Sequence, residues 1–284
     1  MIRLRTSLAV AAALAIAAPA AAQARTPLQI LHAVSARAKA RSAGVQNYTL
    51  TLKTMGQSVV SYVSRDESGA FRAQSGGVGQ MGSSAAEMTG WADELLLMME
   101  TLPEGEEEMP ESMGTLTYDG VSGTSGAPSH VVTMSFAPED APDAGRMVPR
   151  RLSLHFDTTT LLTRRLEIET VSGGAPGSMV MQFGDWRPVK GMQLPYRRHL
   201  EIRGIRAEVL GPDSATATQT IAQGRAVLAG LSGEERESMR QMLEVMEGLV
   251  KRDEMILDEI VTSVAVNQGP PAGVTLSPFG GNDN

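Results

Sequence analysis

The sequence has no cysteine and few aromatic residues, with 2 Trp, 4 Tyr and 5 Phe among 284 residues. Without cysteine there is no disulfide framework, no thiolate zinc site, no Cys nucleophile and no sulfur to carry a lipoprotein anchor. An excess of positive charge is also missing. The formal net charge is −7, so there is no electrostatic reason to expect nucleic acid. Disorder is excluded from the other side, because 42% of the residues are hydrophobic. At roughly 150 residues per domain, the length fits one large domain or one with sizeable insertions.

The one long apolar run stands at the start. Arg3 and Arg5 make a basic head, Leu8 to Ala18 is uninterruptedly apolar, and Ala22-Gln23-Ala24 supplies a small-x-small cleavage pattern. Spanning a bilayer takes about 20 apolar residues, so the run is short for an anchor. Residues 1–24 are therefore expected to be a signal peptide cleaved near Ala24. The exported chain begins near Arg25 and has no transmembrane segment.

Beyond it the hydrophobic period alternates between 3.6 and 2. Thr26 and Pro27 open a helix through Leu28, Leu31 and Val34 that Gly44 ends. Tyr48–Lys53 alternates as a strand, and 57–64 and 70–75 continue an antiparallel meander. After a glycine-rich stretch at 76–83, Ser84-x-x-Glu87 reads as a capping box before a stripe of Met88, Trp91, Leu95, Met98, Met99 and Leu102. Pro103 stops it, and a glutamate-rich loop follows at 104–111. Strands are expected at 115–118, 130–136, 151–157, 161–171, 178–186 and 193–203. A second helical segment runs from Asp213 or Ser214 to about 229, then from Ser232-x-x-Glu235 along Met239, Met242, Leu243, Met246, Leu249 and Val250. A final strand covers about 256–266. This order predicts an α+β fold: one strongly curved antiparallel sheet of nine or ten strands with helices covering its concave face. A single domain spans 25–284, with helical insertions near 76–113 and 204–253.

Catalytic and cofactor motifs are absent or fail on context. Gly77-Val78-Gly79-Gln80-Met81-Gly82 matches G-x-G-x-x-G after a strand, but an antiparallel meander offers no parallel dinucleotide unit, so it reads as a glycine hinge. His32, His130, His155 and His199 have no metal-ligand spacing, and His155 and His199 alternate with apolar neighbours as wet-face residues would. Gly120–Gly126 breaks the G-x-S-x-G spacing and reads as a loop. The Glu104–Glu111 cluster lacks the ordered spacing of a calcium loop. The chain is expected to be no enzyme, with no cofactor and no metal. What is abundant is methionine, 17 residues, much of it on the helical stripes and on Met179-Val180-Met181-Gln182-Phe183. Flexible, polarizable side chains of this kind suit a surface that adapts to varied apolar partners.

The segment Phe183-Gly184-Asp185-Trp186-Arg187-Pro188-Val189-Lys190-Gly191-Met192-Gln193-Leu194-Pro195-Tyr196 resembles a hairpin of the LolA-like, outer-membrane lipoprotein-sorting superfamily. The opening helix before Tyr48–Lys53, and the closing strand before Ser277-Pro278-Phe279, are similar in order. The resemblance implies a half-open antiparallel β-barrel with a helical lid over a hydrophobic cavity. It also implies a monomeric periplasmic carrier that binds acyl chains or lipoproteins without covalent chemistry. On that reading Trp91, Leu95 and Met98 belong to the lid, and Tyr48, Leu50, Leu154, Phe156, Met179, Met181, Phe183, Leu194 and Tyr196 to the wall. Arg72 corresponds to a strand-borne arginine near the lid. The alternative is a non-catalytic envelope sensor or scaffold that binds a protein partner through the inserted helices.

Overall fold

The computed structural model describes residues 25–67, 69–77, 97, 114–123, 127–136, 148–172, 175–206, 210, 214–272, 274 and 276–278. The signal-peptide expectation for 1–24 and the stripe residues Trp91, Leu95 and Met98 lie outside them.

Helix α1 (Pro27–Arg41) forms for local reasons. Thr26 caps it, accepting from the Gln29 amide at 3.2 Å, while the Gln29 side chain accepts from the Thr26 amide at 3.0 Å. This reciprocal pair satisfies two otherwise orphaned donors, and Pro27 supplies the first-turn φ. Ile30, Leu31, Val34 and Ser35 face inward. The chain then makes β1 (Asn47–Thr54), β2 (Gln57–Arg65) and β3 (Phe71–Gly77). After the 76–113 region come β4 (Thr115–Ser122), β5 (Ser129–Ser135), β6 (Val148–Asp157), β7 (Thr163–Ser172), β8 (Ala175–Val189) and β9 (Met192–Arg203). Helices α2 (Ser214–Leu228) and α3 (Gly233–Arg252) precede β10 (Glu254–Val266), and β11 is the two residues Ser277–Pro278.

All pairings are antiparallel, in the order β11-β3-β2-β1-β10-β9-β8-β7-β6-β5-β4, and the sheet is open. To the nine or ten strands expected, the short β11 beside β3 adds an eleventh. Two tight hairpins fix the register. Met55–Gly56 and Lys190–Gly191 both take positive φ at the two loop positions, as a two-residue hairpin with right-handed strand twist requires. Helix α1 comes closest to β4, β5 and β9, the flanks, rather than to the strands between them. A helix that touches both flanks of a set of strands bridges a trough, so the sheet is curved around it. Leu154, Phe156, Leu166, Met181 and Leu200 fill that trough.

Helix α3 runs beside β10. The β1 pairing of β10 begins at Glu259 opposite Thr54, so the Glu254–Asp258 stretch extends beyond the β1–β2 hairpin. There α3 packs alongside β10 and sends Leu249 and Val245 to the core, while α2 packs on α3 with Gly224 against Leu243.

Two expectations need correction. Gly120–Ser122 belongs to β4 rather than to a loop, because a bulge between Tyr118 and Gly120, with Gly120 at φ 94, carries the strand onward. The capping box at Ser232 does not form: Ser232 makes no side-chain cap bond, and Gly233 at φ 56 turns the first residue out of the helical basin.

Candidate functional site

Strand alternation sorts side chains onto two faces of the sheet. On the face toward α1 the buried residues form two clusters. One joins Ile30, Leu31 and Val34 of α1 to Leu154, Phe156, Met181, Phe183 and Leu200, with Met179 and Trp186 packed against it. The other joins Tyr48, Leu50 and Leu52 to Val63, Phe71, Leu97, Met192 and Leu194, with Tyr196 at its margin. Every wall residue expected from the sequence falls into one of these two clusters, but they do not form one continuous wall.

Arg72 is a correction. Phe71 and Ala73 point inward, so alternation turns Arg72 outward, where its side chain is 68% exposed and bonds Asp66 at 3.0 Å.

A pocket of about 90 Å³ lies where the clusters meet. Val34, Ala38, Arg41 and Ser42 of the α1 end line one side, and Trp186, Met192, Leu194 and Pro195 of the β8–β9 hairpin line the other. Tyr48, Leu97, Leu161, Leu162, Thr163 and Gln193 complete it. Binding pockets for drug-sized molecules run to about 300–1,000 Å³. The pocket as it stands is therefore smaller than such a site.

The α1 end is held there by the β6–β7 turn. Asp157 accepts from the Thr159 and Thr160 amides at 3.0 and 2.6 Å and from the Thr160 hydroxyl at 2.8 Å. It also accepts from Arg164 Nε at 2.9 Å. Burial pushes this carboxyl up, but those hydrogen bonds outweigh it and hold it well below the usual carboxylate range. The turn so fixed presents two carbonyls to α1: Thr159 accepts from Arg37 at 2.6 Å and Thr160 from Arg41 at 2.5 Å.

A second feature lies between the clusters. Arg198 and Glu259 face each other across β9 and β10, with N···O 3.6 Å and side-chain exposures of 1% and 0%. Thr54, opposite Glu259 on β1, is buried beside it, and its hydroxyl has no hydrogen-bond partner among the described residues. The sequence held a signal for this pair: both charges occupy the apolar parity of alternating strands, Arg198 between Tyr196 and Leu200 and Glu259 between Leu257 and Val261.

Among the described residues the histidine–carboxylate pairs lie away from this pocket. His199 bonds Asp258 at 2.8 Å and His155 stands 3.4 Å from Glu167, both on the face away from α1. His130 faces inward far from the pocket, held at 2.9 Å by the Tyr118 hydroxyl and 3.4 Å from Arg25. Burial lowers its pKa, and Arg25 adds to that. Among the described residues no group of three or more His, Asp and Glu side chains could hold a metal, and no helix is long and apolar enough to cross a membrane.

No family model and no curated protein matches the sequence. Solved structures to which the fold is similar include a domain from Vibrio parahaemolyticus named for outer membrane lipoprotein sorting, with a TM-score of 0.46, 6% identity, and coverage of 86% of this chain and 94% of that one. A DUF1329 family protein from Desulfovibrio piger gives a TM-score of 0.41 at 8% identity, over 87% of this chain and 96% of that one. A LolA superfamily protein from Nitrosomonas europaea gives 0.36 at 8% identity, with the same two coverages, 87% and 96%.

Proposed function

We propose that this chain is an exported, non-catalytic binding protein that carries acyl chains, free or attached to lipoproteins, against the inner face of its curved sheet. The observation that supports this most directly is the junction pocket. It is walled by Val34, Tyr48, Leu97, Leu161, Trp186 and Leu194, and it lies between two separately packed clusters. Entry of a longer chain requires the side chains on the two sides of that junction to move apart. Each methylene that enters gains about 0.8 kcal/mol, so a 16-carbon chain would gain roughly 12 kcal/mol gross, part of which offsets the cost of separation.

Among the described residues the pairs His155–Glu167 and His199–Asp258 lie on the opposite face of the sheet from the pocket. Export to the periplasm, with cleavage near Ala24, belongs to this proposal and is checked by N-terminal sequencing of the protein from the envelope fraction. The central test is titration of the purified protein with a fluorescent fatty acid, alongside solvent extraction and mass spectrometry of what co-purifies. Saturable binding near one equivalent supports the reading; no binding and no extracted lipid rejects it.

One observation favours the alternative, a scaffold that engages a protein partner. Ile256 and Ile260 are 37% and 50% exposed along a groove of about 500 Å³ beside α3. A stable stoichiometric complex recovered from envelope extract, lost in Ile256→Ser/Ile260→Ser, would support that role.

A further inference from the structure

The polar groups of the junction pocket are not evenly mixed. Arg41 is the single charged residue among its described lining side chains. Among the described residues it makes no ion pair: its contact is one hydrogen bond to the Thr160 carbonyl. Burial, and then the like charge of Arg37 one turn earlier, hold its pKa below the usual guanidinium value, so the site disfavours its charge without supplying a counter-ion. A second donor lines the same pocket. The Trp186 indole N–H is buried and has no hydrogen-bond partner among the described residues. A buried donor without an acceptor is destabilising. Among the described residues no carboxylate lines the pocket. Arg37 shares the mouth, and Lys190 sits on the adjoining hairpin turn, where Gly191 lies against the Arg41 carbonyl. This cationic rim stands on a chain whose formal net charge is −7.

We infer that the pocket selects acyl chains bearing an anionic head, carboxylate or phosphate, with the chain among Val34, Leu97 and Leu194 and the anion on Arg41. Trp186 donates to an oxygen of the head or of the adjoining ester. This inference rests on the acyl-binding reading and adds the headgroup class to it. Charge-assisted hydrogen bonds to a guanidinium are the strong kind, and they discriminate against a neutral head of the same chain length.

The test uses three probes with one chain: palmitate, 1-palmitoyl-lysophosphatidate and monopalmitoyl glycerol, titrated by calorimetry. The expected result is that both anions bind about tenfold or more tightly than the neutral ester. Arg41→Gln removes that preference, Arg41→Lys keeps part of it, and Arg72→Gln, on the outer face of the sheet, leaves the ranking intact. The two anions against each other separate a fatty-acid source from a phospholipid source. Equal affinity for all three probes, or a preference that survives Arg41→Gln in a variant with unchanged circular dichroism, overturns the inference. Binding of none of the three overturns the acyl reading itself.

Discussion

Two side-chain pairs on neighbouring rungs of β9 and β10 show how much the two faces of this sheet differ. Arg198–Glu259 and His199–Asp258 are consecutive in both strands. The first points toward α1 and is sealed between two apolar clusters; the second points away and lies in solvent, with side-chain exposures of 37% and 74%. Identical backbone geometry gives one pair a large desolvation cost and leaves the other hydrated. The inner pair is therefore sensitive to the loss of either member, and the outer pair is close to neutral.

That contrast orders the expected effects. Arg198→Met or Glu259→Gln alone strands a buried partner and should cost about 3–5 kcal/mol by chemical denaturation. The double replacement Arg198→Met/Glu259→Met should recover most of that loss, because no unpaired charge remains. Recovery of nothing would mean that the pair carries more than its mutual attraction. Asp157→Asn should cost roughly 1–3 kcal/mol, since it weakens the charge-assisted bonds from Arg164 and the amides that shape the turn holding α1. Its depressed pKa has a definite sign. The stabilisation is complete above the unfolded value near 3.9 and is lost as pH falls through the folded value, so the variant and the parent should converge in strong acid.

A smaller dependence of the same sign, at higher pH, comes from His155. Burial lowers its pKa, while Glu167 opposes and Arg165 assists. A histidine kept neutral in the fold stabilises above its unfolded pKa near 6.5 and loses that contribution as pH falls through it. Denaturation midpoints should drop between pH 7.5 and 5.5, and His155→Gln should flatten the drop. The smallest effect belongs to the outer pair: Asp258→Asn should change stability by about 0–1 kcal/mol. A loss as large as that of Glu259→Gln would erase the distinction between the faces.

The architecture was legible wherever one periodicity dominated. Tyr48–Lys53 and Arg151–Asp157 alternate cleanly, and Thr26-Pro27 marks a helix start. Contacts of long sequence separation were not legible. That Arg41 would reach the β6–β7 turn and share a pocket with Trp186 depends on the curvature of the sheet, which no local pattern encodes. Arg72 misled because the resemblance suggested an arginine while alternation with Phe71 assigned it to the outer face. The inner charges were a signal left unread. Arg198 and Glu259 sit on apolar parity, and pairing across β9 and β10 is what makes that tolerable.

The most direct test of the pocket is to fill it. Ala38 lines it from α1, so Ala38→Phe places an aromatic ring in a space of about 90 Å³ without disturbing either cluster's own contacts. This variant is expected to fold with unchanged or raised stability and to bind palmitate at least tenfold more weakly than the parent. Undiminished palmitate binding by folded Ala38→Phe protein would contradict the assignment of the junction pocket as the acyl site.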